Sequence, residues 1–230
     1  PGNPTGYLYS KEEILQLAAI AKKHDLFLIF DEVYREFVYD GAEHYSIMQV
    51  EGIEENAIMI DSVSKRFSMC GARIGWVVSK NKAVMKSLLK FAQARLSPPT
   101  YSQIAAERAF DVPEQYFTEV LEEYTHRRNV LIEALQKVEG VRVSKPKGAF
   151  YCIAELPVED AEAFSIWLLD KFSVENETVM LAPAEGFYAT KGLGRNQVRI
   201  AYVLECEKIE RAVAILAAGL KAYAILVKNI

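Results

Sequence analysis

The chain has 230 residues, of which 51% are hydrophobic, and it carries a formal net charge of −4. This composition supports a sizeable core in one large or two small domains and argues against an extended disordered chain. Because there is no long basic run, neither nucleic acid nor a membrane is expected as a partner. The three cysteines lie far apart and match no disulfide or zinc-binding pattern, so we expect no metal and a reducing, cytoplasmic setting.

The N-terminal part alternates helix and strand signals. Its first residues, PGNPTG, are typical of a loop that follows a strand. A helix is predicted over 10–25, because Ser10 and Glu13 form a capping box and apolar residues then recur at helical spacing. The apolar run LFLIF (26–30) predicts a strand that is buried on both faces of a parallel sheet. Further elements follow in chain order: strands at 57–61 and 73–79, then helices at 81–96, 101–110 and 113–139.

After Gly140 the pattern changes to strands interleaved with helices. The strands are predicted at 141–144, 148–156, 178–182 and 197–203, and the helices at 159–173 and 205–225. We therefore expect an α/β fold with a large domain over 1–125 and a smaller α+β domain over 126–230, joined by the long helix.

Polar residues recur where strands of the first part end. Asp31 and Tyr34 follow one predicted strand, and Ser62 and Lys65 follow the next. In open α/β sheets, ligands bind at the carboxyl edge of the strands. We therefore expect these side chains to contribute to a ligand site, although Asp31 taken alone is equally typical of a helix cap or a surface acid.

Lys65 is the candidate nucleophile. It lies in SVSKRFSMCGARIGW, among small residues just past a predicted buried strand, whereas most lysines are solvated surface charges. Desolvation and cationic neighbours such as Arg66 and Arg73 would free its amine to attack a carbonyl. Arg73 and Arg199 offer planar guanidinium groups suited to a phosphate or a carboxylate. On its predicted strand, Arg199 needs either a salt-bridge partner or an anionic ligand. The three histidines, by contrast, have no partners at metal-binding spacing and are expected at the surface.

No single motif is specific, but their order is informative. The segments NPTG, DEVY, SVSK, GARIGW, GAFY and VRIAYV follow one another along the chain. With these motifs the sequence resembles, over essentially its whole length, the fold-type I pyridoxal-phosphate-dependent aminotransferases of class I/II, the aspartate aminotransferase group. The resemblance implies an incomplete three-layer α/β large domain with a smaller C-terminal α+β domain, and pyridoxal 5'-phosphate as the cofactor.

The resemblance also implies a role for each matching residue of the cofactor site. Lys65 would form the internal aldimine and then move a proton between the substrate Cα and the cofactor. Asp31 would pair with the pyridinium nitrogen, which keeps the ring able to accept electrons. Tyr34 and Asn3 would contact the phenolic oxygen of the cofactor.

The remaining two roles concern anions. By the same resemblance, Ser62 and Arg73 would bind the cofactor's phosphate, and Arg199 would clamp the α-carboxylate of the substrate. The implied reaction moves an amino group between an amino acid and a 2-oxo acid, in a homodimer. Family members carry a long portion before NPTG, so we expect this chain to be a C-terminal part that is inactive by itself.

Two other functions are compatible with the same motifs. Carbon–sulfur lyases of this fold use the same lysine and aspartate, so the fold does not decide the reaction. Some bacterial transcription regulators join a winged helix to an aminotransferase-like domain. The tyrosine of DEVY and the arginine of VRIAYV favour transamination over the acyltransferases of this fold, and they leave a carbon–sulfur lyase open.

Overall fold

The computed structural model describes residues 1–228 and divides into two compact units. The first contains Pro1–Gly2 and Leu8–Leu121, and the second contains Asn3–Tyr7 and the chain from Glu122 onward. The sequence-based division lay at residue 125 and grouped the first loop with the large domain. In the structure the division falls inside the long helix, and the short segment Asn3–Tyr7 packs with the second unit.

The first unit is built on a three-stranded sheet with the order β1-β2-β3. Its strands are β1 (Leu28–Asp31), β2 (Ala57–Ser62) and β3 (Gly75–Val78). β1 pairs with β2 in parallel, whereas β3 is antiparallel to β2. The carboxyl ends of β1 and β2 therefore meet at one edge of the sheet.

The long helices of the first unit begin close to their predicted positions. They are α1 (Lys11–Lys23), α3 (Lys82–Arg95), α4 (Thr100–Ala109) and the start of α5 (Glu114–Gln136), and a short helix that was not predicted, α2 (Val63–Arg66), lies between β2 and β3. The capping box of α1 is present: Glu13 N donates to Ser10 Oγ, and Ser10 N donates to the Glu13 carboxylate. The reciprocal bonds satisfy backbone donors that a helix start leaves open.

The core of the first unit covers only one face of β1, so the prediction that 26–30 is buried on both faces is wrong. Ile14 and Ala18 of α1 pack in one cluster with Ala57 and Met59 of β2. Leu28 and Phe30 join this cluster, and Ile29 between them points away and is 60% exposed. A strand alternates its side chains, so an apolar run has one buried face when a single layer covers it.

The second unit contains a four-stranded antiparallel sheet with the order β4-β5-β7-β6. The strands are β4 (Arg142–Val143), β5 (Tyr151–Glu155), β6 (Ala182–Pro183) and β7 (Gln197–Ala201), and the helices are the rest of α5, α6 (Ala161–Lys171) and α7 (Cys206–Lys228). Leu131, Phe164, Val198 and Leu216 are among its buried residues. The strand predicted over 178–182 is reduced to Ala182 and Pro183 at the edge of the sheet.

Two sequence expectations about chemistry can be compared with the described residues. All three cysteines are free, and burial raises the pKa of the Cys152 thiol to about 12. Within residues 1–228, no helix has both the length and the apolar character needed to cross a bilayer.

A buried carboxylate organises the loop that follows β1. Glu32 is fully buried and accepts hydrogen bonds from Ser46 Oγ at 2.8 Å, Ile47 N at 3.0 Å and His44 Nε2 at 3.0 Å. His44 was expected at the surface, but its side chain is only 15% exposed and its ring bonds to Glu32. Burial alone would raise the pKa of Glu32, but these donors outweigh it and hold the pKa below its usual value.

Gly6 allows the segment Asn3–Tyr7 to pack closely against the rest of the second unit. Gly148 N donates to Gly6 O at 3.0 Å, and Gly6 is buried with a φ of +67°. A Cβ at Gly6 would contact Pro146 and lie 2.7 Å from Gly148 O and 2.8 Å from Tyr151 O. Two of these neighbours are backbone atoms, so they cannot move aside cheaply.

We expect Gly6→Ala to destabilise the protein by about 3 kcal/mol, because overpacking adds to the cost of a left-handed alanine. Gly41→Ala is the matched control, since Gly41 has a φ of +72° and open space around it. The control should cost only about 1 kcal/mol. Thermal unfolding of both variants measures the difference, and equal melting temperatures would contradict the close approach at Gly6.

We expect Glu32→Gln to cost about 2 kcal/mol at neutral pH, because three donors lose a charged acceptor. A lowered carboxyl pKa stabilises the fold above the unfolded value, and that stability is lost as the pH falls through the folded value. The difference in melting temperature from wild type should therefore be largest at pH 7 and shrink below roughly pH 4.3. Glu12→Gln, at an exposed position of α1, is the control and should show no such trend. A pH-independent difference would contradict the assignment.

Candidate functional site

Asp31 and Ser62 end neighbouring parallel strands, as the sequence predicts. Asp31 pairs with Ile60 in the register of β1 and β2, and Ser62 is the last residue of β2. Asp31 is exposed, and its Oδ1 accepts a hydrogen bond from Val33 N at 3.2 Å. Its other carboxylate oxygen is therefore available to a ligand at the edge of the sheet.

Tyr34 and Lys65 lie close to each other in the first unit. Tyr34 is 6% exposed, and its ring makes an edge contact with Phe37. The Lys65 Nζ is 5.8 Å from the centre of the Tyr34 ring, within range of a cation–π contact. Lys65 itself is partly buried. The structure therefore brings the loop after β1 and the turn after β2 together around the lysine amine.

The turn after β2 presents two hydroxyl groups and the amine within four residues. Ser62 Oγ accepts a hydrogen bond from Ser64 N at 3.2 Å, which starts the short helix α2. Lys65 lies one helical turn after Ser62.

Arg73 and the hydroxyl groups line one cavity of about 580 Å³ in the first unit. The cavity is lined by Ser62, Ser64, Arg73 and Trp76 among others. Arg73 has a φ of +56°, a left-handed conformation that costs a non-glycine residue of order 1 kcal/mol. Its Nη1 donates to Cys70 O at 2.9 Å, which restrains the exposed side chain. Hydroxyls and a guanidinium group together are suited to a phosphate.

Arg66 does not act as a cationic neighbour in the way the sequence suggests. Its guanidinium is buried and forms ion pairs with Asp61 and Glu36. These two carboxylates balance its charge inside the first unit, so Arg66, unlike Arg73, is not a candidate for binding a ligand.

In the second unit, the side chain of Arg199 is held by Asn3. Arg199 Nη1 donates to Asn3 Oδ1 at 3.0 Å. Within residues 1–228 no carboxylate forms an ion pair with Arg199, and its Nε is buried without a hydrogen-bond partner. Of the two possibilities for an arginine on this strand, a salt bridge is therefore absent from the described residues, and an anionic ligand is the one that the geometry favours.

Two aromatic rings flank the same guanidinium, and the sequence did not assign them a role. The Arg199 Cζ lies 4.9 Å from the ring centre of Tyr151 and 5.3 Å from that of Phe187. Tyr151 pairs with Ala201 in the register of β5 and β7. From the sequence, Phe187 is a candidate for the lining of the pocket and Tyr151 is expected in the core; neither is linked to Arg199 by any sequence pattern.

Comparison with known proteins agrees with this geometry. The family model for aminotransferase class I and II matches residues 1–216. An aspartate aminotransferase of Bacillus sp. (strain YM-2) is 33% identical over 218 residues, which is 93% of this chain and 54% of that protein. An aromatic-amino-acid aminotransferase of Thermococcus litoralis is 33% identical over 214 residues, 92% of this chain and 53% of that protein.

Solved structures show the same fold. The aromatic aminotransferase from Pyrococcus horikoshii has a TM-score of 0.83 and 31% identity, covering 97% of this chain and 59% of that chain. The α-aminoadipate aminotransferase from Thermus thermophilus, solved with N-(5'-phosphopyridoxyl)-L-leucine, has a TM-score of 0.85 and 27% identity, covering 97% and 57%. This chain spans about half the length of the curated relatives it matches. By its match to the family model and by these relatives, the chain belongs to the aminotransferase class I and II family.

Proposed function

We propose that the complete protein is a pyridoxal-phosphate-dependent aminotransferase that moves an amino group between an amino acid and a 2-oxo acid. One observation supports it above the others. A single turn offers the Ser62 hydroxyl and the Lys65 amine, beside a parallel strand that ends in the carboxylate of Asp31. Family membership adds independent support.

The residues present fit the cofactor. A cavity lined by Ser62, Ser64 and Arg73 has donors for a phosphate, and Asp31 has a carboxylate oxygen for a protonated ring nitrogen. When bound, pyridoxal phosphate supplies a carbonyl that reacts with amines and a ring that takes up electrons. The protein supplies binding, orientation and proton transfer.

Each motif residue of the first unit then has a proposed role toward the cofactor. Lys65 would hold the cofactor through its Nζ, and once the amine of the substrate has taken its place, the freed lysine amine would accept and return the proton of the substrate Cα. Asp31 would keep the ring nitrogen protonated through its negative charge. Tyr34 would donate its hydroxyl hydrogen to the phenolic oxygen of the cofactor, and Ser62 and Arg73 would hold the phosphate.

Arg199 and Asn3 act on the substrate and the phenolic oxygen, respectively. Arg199 binds the α-carboxylate that amino acids and 2-oxo acids share, through two parallel hydrogen bonds. Asn3 accepts a hydrogen bond from this guanidinium through its Oδ1, and by the resemblance its amide N–H groups would serve the phenolic oxygen. The rings of Tyr151 and Phe187 limit rotation of the guanidinium, so the fork is set before substrate binds.

The regulator and lyase alternatives are not favoured, because the relatives and structures described above are aminotransferases.

Relatives of equal identity are named for aspartate and for aromatic amino acids. The assay of the complete protein therefore uses 2-oxoglutarate as acceptor with aspartate, neutral and aromatic donors. Absence of amino transfer from every donor would contradict the proposed reaction.

The assembly and the location form part of the same proposal. We infer a cytoplasmic homodimer, as the resemblance and the separated cysteines imply. α3 and the residues around α4 support an assembly because large apolar side chains are exposed there, including Phe91, Leu96 and Tyr101. Exposed apolar surface of this kind is typical of regions that pack against other protein surface.

We expect Lys65→Ala to lose covalent attachment of the cofactor and to lower kcat by at least about a hundredfold, because it removes both the attachment point and the proton carrier. Reduction with borohydride followed by peptide mass spectrometry should place the pyridoxyl group on Lys65 in the wild type and nowhere in the variant. Lys86→Ala, at an exposed lysine of α3, should leave both measurements unchanged. Labelling of a different lysine would refute the role of Lys65.

We expect Arg199→Lys to raise KM for the amino donor and for the 2-oxo acid by about tenfold or more, because lysine keeps the charge but loses the planar fork. The effect on kcat should be smaller, since the bond is present before and during the reaction. Arg195→Lys is the control, because Arg195 is 60% exposed and paired with Asp160. If both variants have the KM of the wild type, Arg199 does not bind the carboxylate.

A further inference from the structure

The buried carboxylate of Asp61 bridges the two ends of the turn that carries Lys65. Asp61 precedes Ser62 on the core-facing side of β2, and its side chain is fully buried. Asp61 Oδ1 accepts a hydrogen bond from Ser62 N at 2.7 Å, and Oδ2 accepts one from Arg66 Nη2 at 2.9 Å. One carboxylate therefore binds both ends of the segment 62–66, and Lys65 lies within that segment.

The same group of charges extends to the loop after β1. Arg66 Nη2 lies 2.7 Å from Glu36 Oε1, and Arg35 Nε lies 3.1 Å from the same oxygen and 3.7 Å from Asp61 Oδ2. Arg35 and Glu36 directly follow Tyr34 in sequence. Two carboxylates and two guanidinium groups thus balance each other and connect the loop after β1 to the turn after β2.

The surroundings of Arg66 are apolar, which makes its position well defined but costly. Its Cζ lies 5.8 Å from the ring centres of Phe67 and Trp76 and 6.0 Å from that of Phe110. In the described part of the chain, Arg66 Nε and Glu36 Oε2 are buried without hydrogen-bond partners. Buried ion pairs with incomplete hydrogen bonding add little net stability compared with apolar residues of the same size, so net stability does not account for the burial of these charges.

We propose that Asp61, Arg66 and Glu36 are positioning residues, which fix Ser62 and Lys65 relative to Asp31 and Tyr34. The inference rests on the proposed function, because those four residues are the ones assigned to the cofactor. None of the three contacts the cofactor in this assignment; they act through the turn and the loop that they join.

The test replaces the pair by neutral side chains in the complete protein, as Asp61→Asn/Arg66→Met. Misplacement of a reacting group by about 1 Å costs up to about 100-fold in rate, so kcat per bound cofactor should fall at least about tenfold, and the Kd for pyridoxal phosphate should rise by about the same factor. KM for the amino donor should stay within about twofold, because Arg199 belongs to the other unit. A merely structural role would lower the folded fraction and leave kcat per bound cofactor unchanged.

The control is the exposed ion pair of Arg108 and Asp111 in the same unit, changed as Arg108→Met/Asp111→Asn, which should match wild type in all three constants. If the Asp61/Arg66 variant does not fold, Glu36→Gln decides in its place. It keeps the Asp61–Arg66 pair and the longer Arg35–Asp61 contact, removes the charge that joins Arg66 to the loop after β1, and should weaken cofactor binding and lower kcat. A folded variant with wild-type constants overturns the inference alone. A wild-type protein that takes up no pyridoxal phosphate overturns the proposed function and this inference with it.

Discussion

The parallel pairing of β1 and β2 is the constraint on which the rest of the first unit depends. Parallel strands bring their carboxyl ends to the same edge of a sheet, so Asp31 and Ser62 become neighbours although they lie far apart in sequence. The hydrogen-bond register leaves no freedom to shift one loop along the other without breaking the ladder. The chemistry assigned to Lys65 is possible because this edge collects an acid, hydroxyls and an amine.

A buried carboxylate lies next to the accessible polar residue at the end of both β1 and β2. Glu32 is buried next to exposed Asp31, and Asp61 is buried next to partly exposed Ser62. The two carboxylates have different hydrogen-bond and ion-pair partners. Glu32 accepts from a hydroxyl, a backbone amide and the His44 imidazole. Asp61 binds a backbone amide and guanidinium groups. Alternation thus leaves one residue at each strand end accessible and buries its neighbour, which binds the adjoining loop or turn.

In the second unit, the candidate ligand-binding group is the guanidinium of Arg199, and no ion pair among the described residues holds it. Arg199 is restrained by the Asn3 amide and by two aromatic faces, and no carboxylate of the described residues neutralises it. A guanidinium group held in this way retains its charge for an external anion while losing little conformational entropy on binding. Under the proposed function, that anion is the carboxylate common to amino acids and their 2-oxo counterparts.

By itself the sequence determined the family, the fold class and the location of most elements, because capping boxes, apolar spacing and ordered motifs are local signals. It also located Asp31, Ser62 and Lys65 at the ends of strands; the cofactor and substrate roles of the motif residues rest on the family resemblance. Only the tertiary structure decided that one face of β1 is exposed, that His44 serves Glu32, that Arg66 belongs to an ion network, and that two rings flank Arg199. These features depend on contacts between residues distant in sequence, and side-chain partners across such distances leave no periodic pattern in the chain.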